Sequence, residues 1–404
     1  MSDDEADPEL VALLRQSLGL EPSSGSAPPE TRVLRAAEFI YDNAVDVSIS
    51  SAATKAAAAT LWKLMKERDI STHSWAQHEL HPAAKNEATV NFIFTIDLLN
   101  FSFWSDRAEG QRAAIEYRGR RWTGYWSLVA ALQRALDEGY PITTPSFYAS
   151  EDQCPDLILA HIFRSCTAEP FPLLAQRIRI LRSAGAFFSQ PDSSPAALVK
   201  QAHHSAARLV NLLVEKLPGC FNDAHTFQGK EVVLHKRAQI LVADLWACFT
   251  GQSYGQFDDI GALTMFADYR VPQMLHSLGC LWYSPRLEGR IKRGELLESG
   301  ETAELEIRGC SVWCVQVIKR EIETRFAEEL RVWKTEGDGR EVNAVLIDYL
   351  LYDLATERQR RNEEAEKNKA AGKIDEKENG LVNGEQAERH GLALPHHRTR
   401  SIWY

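Results

Sequence analysis

Long apolar runs are what this sequence most plainly lacks: nowhere do eighteen consecutive residues have the hydrophobicity that a bilayer-spanning helix needs. The opening residues, MSDDEADPEL, are acidic and lead into no apolar segment of the signal-peptide kind, so a cytoplasmic or nuclear location is expected. Cysteine is sparse as well. The seven thiols, at 154, 166, 220, 248, 280, 310 and 314, are odd in number and contain no CxxC pair, which argues against a disulfide framework and for reduced core residues. Cys310 and Cys314 would share a helix face, but without a histidine or second pair at ligand spacing they suggest no metal site. An excess of positive charge is missing too. With 46 Lys and Arg against 56 Asp and Glu, the net charge of −10 argues against a broad duplex nucleic-acid footprint, while a nucleotide-sized ligand remains compatible with it. Nor is there a GxSxG, a P-loop, a GxGxxG or an HExxH, so the common hydrolase, nucleotide and metalloprotease signatures contribute nothing.

What is present is a 404-residue chain, 44% hydrophobic, able to bury a substantial core. Residues 1–30 end in GLEPSSGSAPPE and are expected to form a flexible acidic leader, because Ser, Pro and Gly bury too little apolar surface to order themselves. The charged, Gly- and Asn-containing segment at 360–393 is expected to be a disordered insertion in a domain spanning 31–404. Order should resume at LPHHRTRSIWY, since Ile402, Trp403 and Tyr404 are costly to leave in water. Between these segments the pattern has helical period. SSAATKAAAATLWKLMKERD, SLVAALQRALDEGYP and SPAALVKQAHHSAARLVNLLVEKLPG carry Ser caps or Gly and Pro stops. HKRAQILVADLWACF, CSVWCVQVIKREIETRFAEELRVWK and REVNAVLIDYLLYDLATERQRR also read as helices. Only AIEYRGRRWTGYWS reads as a hairpin, so the expectation is a mainly α, single-domain fold with one small β element.

Three stretches set polar residues into apolar or aromatic surroundings. In LTMFADYRVPQMLHSLG, Pro272 suits the first position of a helix, which would place Asp268 near a helix N-terminus. The partial positive charge there favours an ionised carboxylate, fit for a base or a cation stabiliser. A helix boundary carrying a surface pair of Asp268 with Arg270 explains the same residues. In HELHPAAKNEATVNFIFTIDLLNFSFWSD, Asp97 and Asn100 lie among Phe92, Phe94, Phe101, Phe103 and Trp104; a carboxylate there must be hydrogen-bonded or bind something. In VLIDYLLYDLA, Asp348 and Tyr352 share a helix face, with Asp353 about 100° round. Two acids and a phenol could accept N–H groups from a heterocycle while the ring stacks on it, or could form an ordinary solvated face. His78, His81, His203 and His204 show no metal spacing and read individually as structural or exposed.

Taken together, HELHP, FTIDLLNFSFWSD, YRGRRWTGYWSL, ALDEGYPIT, KRAQILVADLW, LTMFADYRVPQ, LEIRGCSVWCV and LIDYLLYDL resemble the queuosine salvage proteins, the queuosine 5′-phosphate N-glycosylase/hydrolase family. The resemblance implies a helical fold similar to the helical DNA glycosylases. It also implies hydrolysis of the N-glycosidic bond of queuosine 5′-phosphate, releasing the 7-deazaguanine base queuine for tRNA modification, by a monomer without metal or organic cofactor. By the same resemblance Asp268 is the catalytic carboxylate, and Phe266, Asp348, Tyr352, Asp353 and His78 bind the base. The 5′-phosphate needs donors, for which charge alone suggests Lys236, Arg237 and Arg398. A helical binding protein for a modified nucleobase or nucleotide, with Asp268 and Asp348 in structural pairs, is the alternative. A glycosylase acting on a flipped base in DNA or RNA is a third reading, opposed by the negative charge and the lack of a basic stripe.

Overall fold

Ser50 accepts the Ala53 N–H at 3.3 Å and starts a helix whose alanines and Leu61, Trp62 and Met65 form one buried face. The same logic of a capped, one-sided apolar stripe recurs along the chain, in a computed structural model that describes residues 29–71, 78–336, 341–370 and 394–404. The elements that matter for the site are α1 (Val33–Asp42), β1 (Val47–Ile49), α2 (Ser51–Glu67), α3 (Glu87–Leu98), β2 (Ile115–Tyr117), β3 (Arg120–Trp122) and α4 (Tyr125–Asp137). After shorter helices come β4 (Ala224–Phe227), β5 (Lys230–Val233), α5 (Lys236–Cys248), α6 (Arg270–Ser277) and β6 (Leu281–Tyr283). The chain ends with α7 (Thr302–Arg325), α8 (Ala327–Glu336), α9 (Ala344–Ala370) and a tail at 394–404.

The fold is mainly helical, as expected, and the hairpin β2–β3 forms where its sequence placed it. Two further antiparallel pairs accompany it: β1 with β6, in register Val47↔Tyr283, and β4 with β5, turned by Gln228 and Gly229 at φ 49° and 77°. The stretch expected as one helix at 194–219 is broken. His203 and His204 adopt left-handed φ of 48° and 62°, and Ser205 then caps a new helix, Ala206–Lys216, by accepting the Arg208 N–H. A second break falls at Phe326, between α7 and α8. Helix α6 starts at Arg270 rather than at Pro272, because Asp268 itself caps it: Oδ1 accepts the N–H groups of Arg270 and Val271 at 3.0 and 2.9 Å. The helical register of α9 continues through Ala370, past the expected break at 360, with charge pairs Arg360–Glu364 and Arg361–Glu357 along it. The leader at 1–28 and residues 371–393 lie outside the described residues.

Two apolar clusters make the core. One joins α3, α4 and α5 through residues such as Phe94, Leu128 and Val242; the other joins α1, α2, α7 and α9 through Ile40, Leu61, Ile307 and Ile347. Trp246 and Tyr349 pack against both. Helix α7 meets α1 so closely that a Cβ on Gly309 would come within 2.6 Å of the Ile40 side chain, which requires glycine there.

Helix α7 also carries charge into the interior. The fully buried Arg308 donates to the Asp223 carboxylate at 2.5 and 3.1 Å, to the Ala267 carbonyl at 3.0 Å and to the Trp403 carbonyl at 3.4 Å. Burial alone would raise the Asp223 pKa; Arg308 and His225 overcome it and hold this carboxyl well below the usual range. Removing one partner leaves the other charge uncompensated in a low dielectric. Urea unfolding of R308M is therefore expected to show a loss of about 3–5 kcal/mol, and a loss below about 1 kcal/mol would contradict the role assigned to this guanidinium.

Candidate active site

The loop FADYR leaves the interior between the two cores, and its path is set by three hydrogen bonds. The Phe266 N–H donates to Oδ1 of Asp348 on α9 at 3.0 Å; the Asp268 N–H donates back to the Phe266 carbonyl at 2.7 Å; Asp268 then caps α6. Pinning Oδ1 of Asp268 leaves Oδ2 with no hydrogen-bond partner among the described residues. That carboxyl lines a cavity of about 830 Å³, within the range of small-molecule sites.

The cavity floor is acidic. Asp268, Asp348 and Asp244 all line it, with Tyr349 donating its hydroxyl to Asp244 at 3.2 Å. Burial pushes the Asp348 pKa well above the ordinary carboxylate value, and the neighbouring Asp268 adds to the effect. Burial likewise raises Asp268, opposed by Lys236 and by the α6 N–H groups. The helix N-terminus expected from sequence is present, yet desolvation outweighs it. Lys236 opens α5, is 6% exposed and lines the same cavity; burial lowers its ammonium to about 8, and Asp268 limits the drop.

An aromatic wall faces this floor. His78 stacks on Trp126 with centroids 3.4 Å apart and planes 15° from parallel, and burial lowers its pKa. The Tyr125 hydroxyl lies 3.2 Å from Nε2 of His81, and Phe266 also lines the cavity. Tyr352, 38% exposed, and Asp353 line the cavity from α9, with the Arg270 guanidinium 5.9 Å from the Tyr352 ring centroid.

The structure thus brings together His78, Asn100, Lys236, Phe266, Asp268, Arg270, Asp348, Tyr352 and Asp353 around one cavity. It withholds three others. Asp97 is completely buried, with Oδ1 bonded to Asn100 at 3.2 Å and Oδ2 unpartnered; burial and nearby Asp244 raise its pKa well above the usual value. Arg237 is 2% exposed and donates to the carbonyls of Leu98 and Cys220, so it satisfies two chain ends of the core instead of facing a phosphate. Arg398 is held by an ion pair to Asp106 away from the cavity. Sequence reading passed over Asp244, Tyr349, Tyr125, Trp126 and Arg358. Asp244 carried the signal that singled out Asp348, a lone acid in an apolar helix, here eight residues after Lys236 and so near the same face. Among the described residues no group of three or more His, Cys, Asp or Glu is placed to hold a metal ion, and no helix is long and apolar enough to cross a membrane.

A cavity lined by buried acids and by stacked rings is suited in shape and chemistry to a flat, donor-rich heterocycle. A profile of the family described as "Queuosine salvage protein" matches residues 80–375, and the chain belongs to that family. It is 42% identical over 381 residues, 93% of this chain and 100% of the relative, to a Schizosaccharomyces pombe protein named "Queuosine 5′-phosphate N-glycosylase/hydrolase". Proteins of the same name from Mus musculus and Sphaerobacter thermophilus are 42% and 35% identical, covering 80% and 86% of this chain and 92% and 91% of their own lengths.

The Asp348 carboxyl, whose neutral form burial favours and whose Oδ1 accepts an N–H, should tolerate an amide in its place. D348N is expected to keep its stability within about 1 kcal/mol in a denaturant titration, while D348A, which orphans the Phe266 N–H, should lose about 1–3 kcal/mol. Equal losses for the two would mean that Asp348 is held as an anion.

Proposed function

We propose that this chain hydrolyses the N-glycosidic bond of queuosine 5′-phosphate, releasing queuine and ribose 5-phosphate. The observation that carries the reading is Asp268: a carboxyl with one oxygen pinned and the other open to a cavity floored by Asp348, in a chain whose relatives bear that enzyme's name. The catalytic domain is 31–404, and a cytoplasmic monomer needing neither metal nor organic cofactor is the state this reading assigns.

The chemistry asks for charge stabilisation. A 7-deazapurine has carbon in place of N7, so the ring position whose protonation eases departure of an ordinary purine is missing. As the bond from C1′ to N9 breaks, positive charge grows on the ribose, and the open oxygen of ionised Asp268 stabilises it and orients the attacking water. Water oxygen bonds to C1′, one of its protons passes through Asp268, and N9 of the departing base is left protonated. Asp348, with its neutral form favoured by burial and Oδ1 occupied, offers a proton to an acceptor on the base when protonated, while Asp353 accepts from N–H groups or from the cationic amine of queuine. Phe266, Tyr352 and the stacked pair of His78 and Trp126 sandwich the ring. Lys236, placed on the sequence as a phosphate ligand, serves here as the counter-charge that favours ionised Asp268, and with a pKa of about 8 it is mostly protonated at neutral pH.

Chromatographic detection of free queuine after incubation with queuosine 5′-phosphate, beside queuosine and guanosine 5′-phosphate, tests the assignment. Release from the first compound is expected; none from any of them by folded protein would leave the non-catalytic binding reading. D268N should still bind queuine yet release base at least about a hundredfold more slowly. A pH profile of kcat/KM tests the electrostatics separately. Asp268 acts ionised, and burial raises its pKa above 3.8, so activity is lost as pH falls through that raised value. K236M removes a charge that favours the ionised form, so its acid limb should move to higher pH; a limb that stays put would detach Lys236 from Asp268.

A further inference from the structure

The 5′-phosphate of the proposed substrate carries about two negative charges, and the floor of the cavity is a poor place for them. Asp268, the anion of the proposed reaction, lies there beside Asp348 and Asp244, and a carboxylate in a poorly hydrated pocket repels a phosphate strongly. The floor's cation, Lys236, faces Asp268. Cations further along the cavity are partly engaged as well. Arg270 donates to Gln359, and Nε of Arg112 donates to the Arg107 carbonyl at 3.0 Å.

Arg358 differs. It lines the cavity from α9, is half-buried, and makes no hydrogen bond or ion pair with the described residues. Burial lowers its pKa and no neighbouring acid offsets the effect. A desolvated guanidinium without a partner is an unfavourable arrangement that an anionic ligand would relieve. Its position fits the length of a nucleotide. Arg358 follows Asp348 by ten residues, about 15 Å along the helix axis, and helical side chains lean back towards the N-terminus, which brings the guanidinium nearer to the floor than its Cα. Thr356 and Asn362 line the same stretch and offer neutral donors beside it.

We propose that Arg358 is the phosphate-binding residue of this cavity, gripping the 5′-phosphate through paired charge-assisted hydrogen bonds while the base lies at the acidic floor. The inference rests on the substrate assigned above. Arg suits the task because its planar fork matches two phosphate oxygens at once.

Steady-state kinetics of R358A, with queuine as product inhibitor, separate the two ends of the site. The KM for queuosine 5′-phosphate should rise about tenfold or more, with the queuine inhibition constant unchanged, because the base end is intact. R358K, which keeps the charge but loses the fork, should recover part of the lost affinity. A KM within about threefold of the wild type overturns the assignment, and so does queuine inhibition that weakens in step with KM. Should R358A fail to fold, the same two readouts on R358Q decide the matter. Wild-type protein that releases no queuine would instead remove the substrate assignment itself.

Discussion

A guanidinium cannot stay in a protein interior unless its donors are met, and Arg308 meets that demand by collecting distant parts of the chain. Its partners are Asp223 at the start of β4, Glu304 one turn earlier on α7, the carbonyl of Ala267 and the carbonyl of Trp403. Ala267 lies between the cavity-lining Phe266 and Asp268, so the same residue that pairs with a buried acid also fixes the peptide joining Ala267 to Asp268. Trp403 belongs to the tail, which Ser102 secures further by donating its N–H to the Tyr404 carbonyl at 2.7 Å. Pro395, His396 and Tyr404 line the cavity as a result, and a wall of the site is built from the far end of the chain.

Within that frame the cavity is electrically graded. Carboxyls that are desolvated together cannot all ionise, and the hydrogen bonds decide which one bears the charge. Asp348 accepts a single backbone N–H and sits next to Asp268, so its neutral form is favoured; Asp268 accepts two N–H groups and has Lys236 nearby, so it is the better anion. Two acids of the same type are thereby given different tendencies to ionise by their hydrogen bonds and neighbours.

Helix α9 runs the length of this gradient. Asp348, Tyr352, Gln359 and Asn362 recur at the spacing of one face, so a single rigid element presents an acid, a ring and amides in a row, with Arg358 at its flank. A rigid helix is a precise ruler for a ligand with a base at one end and a phosphate at the other.

Much of this was legible beforehand. The helical period, the hairpin Ile115–Trp122 within the stretch 114–127, the helix start beside Asp268 and the shared face of Asp348 and Tyr352 follow from local physics, in which spacing and capping residues act over a turn or two. The chain also carries the strings that mark its family. Local rules failed where contacts between distant residues outweighed them. His203 and His204 break a helix that their neighbours favour, β1 finds its partner more than two hundred residues away, and Arg237 turns inward to carbonyls while Arg358, near the end of a stretch that its period marked only as helix, lines the cavity. Sequence by itself determined the mainly helical character of the fold and singled out Asp268 and Asp348, because period and composition are local. Only the tertiary structure decided which acid burial pushes further towards its neutral form, which cation of the cavity lacks a partner among the described residues and which residues share a cavity, because desolvation and charge coupling depend on neighbours that the chain order does not reveal.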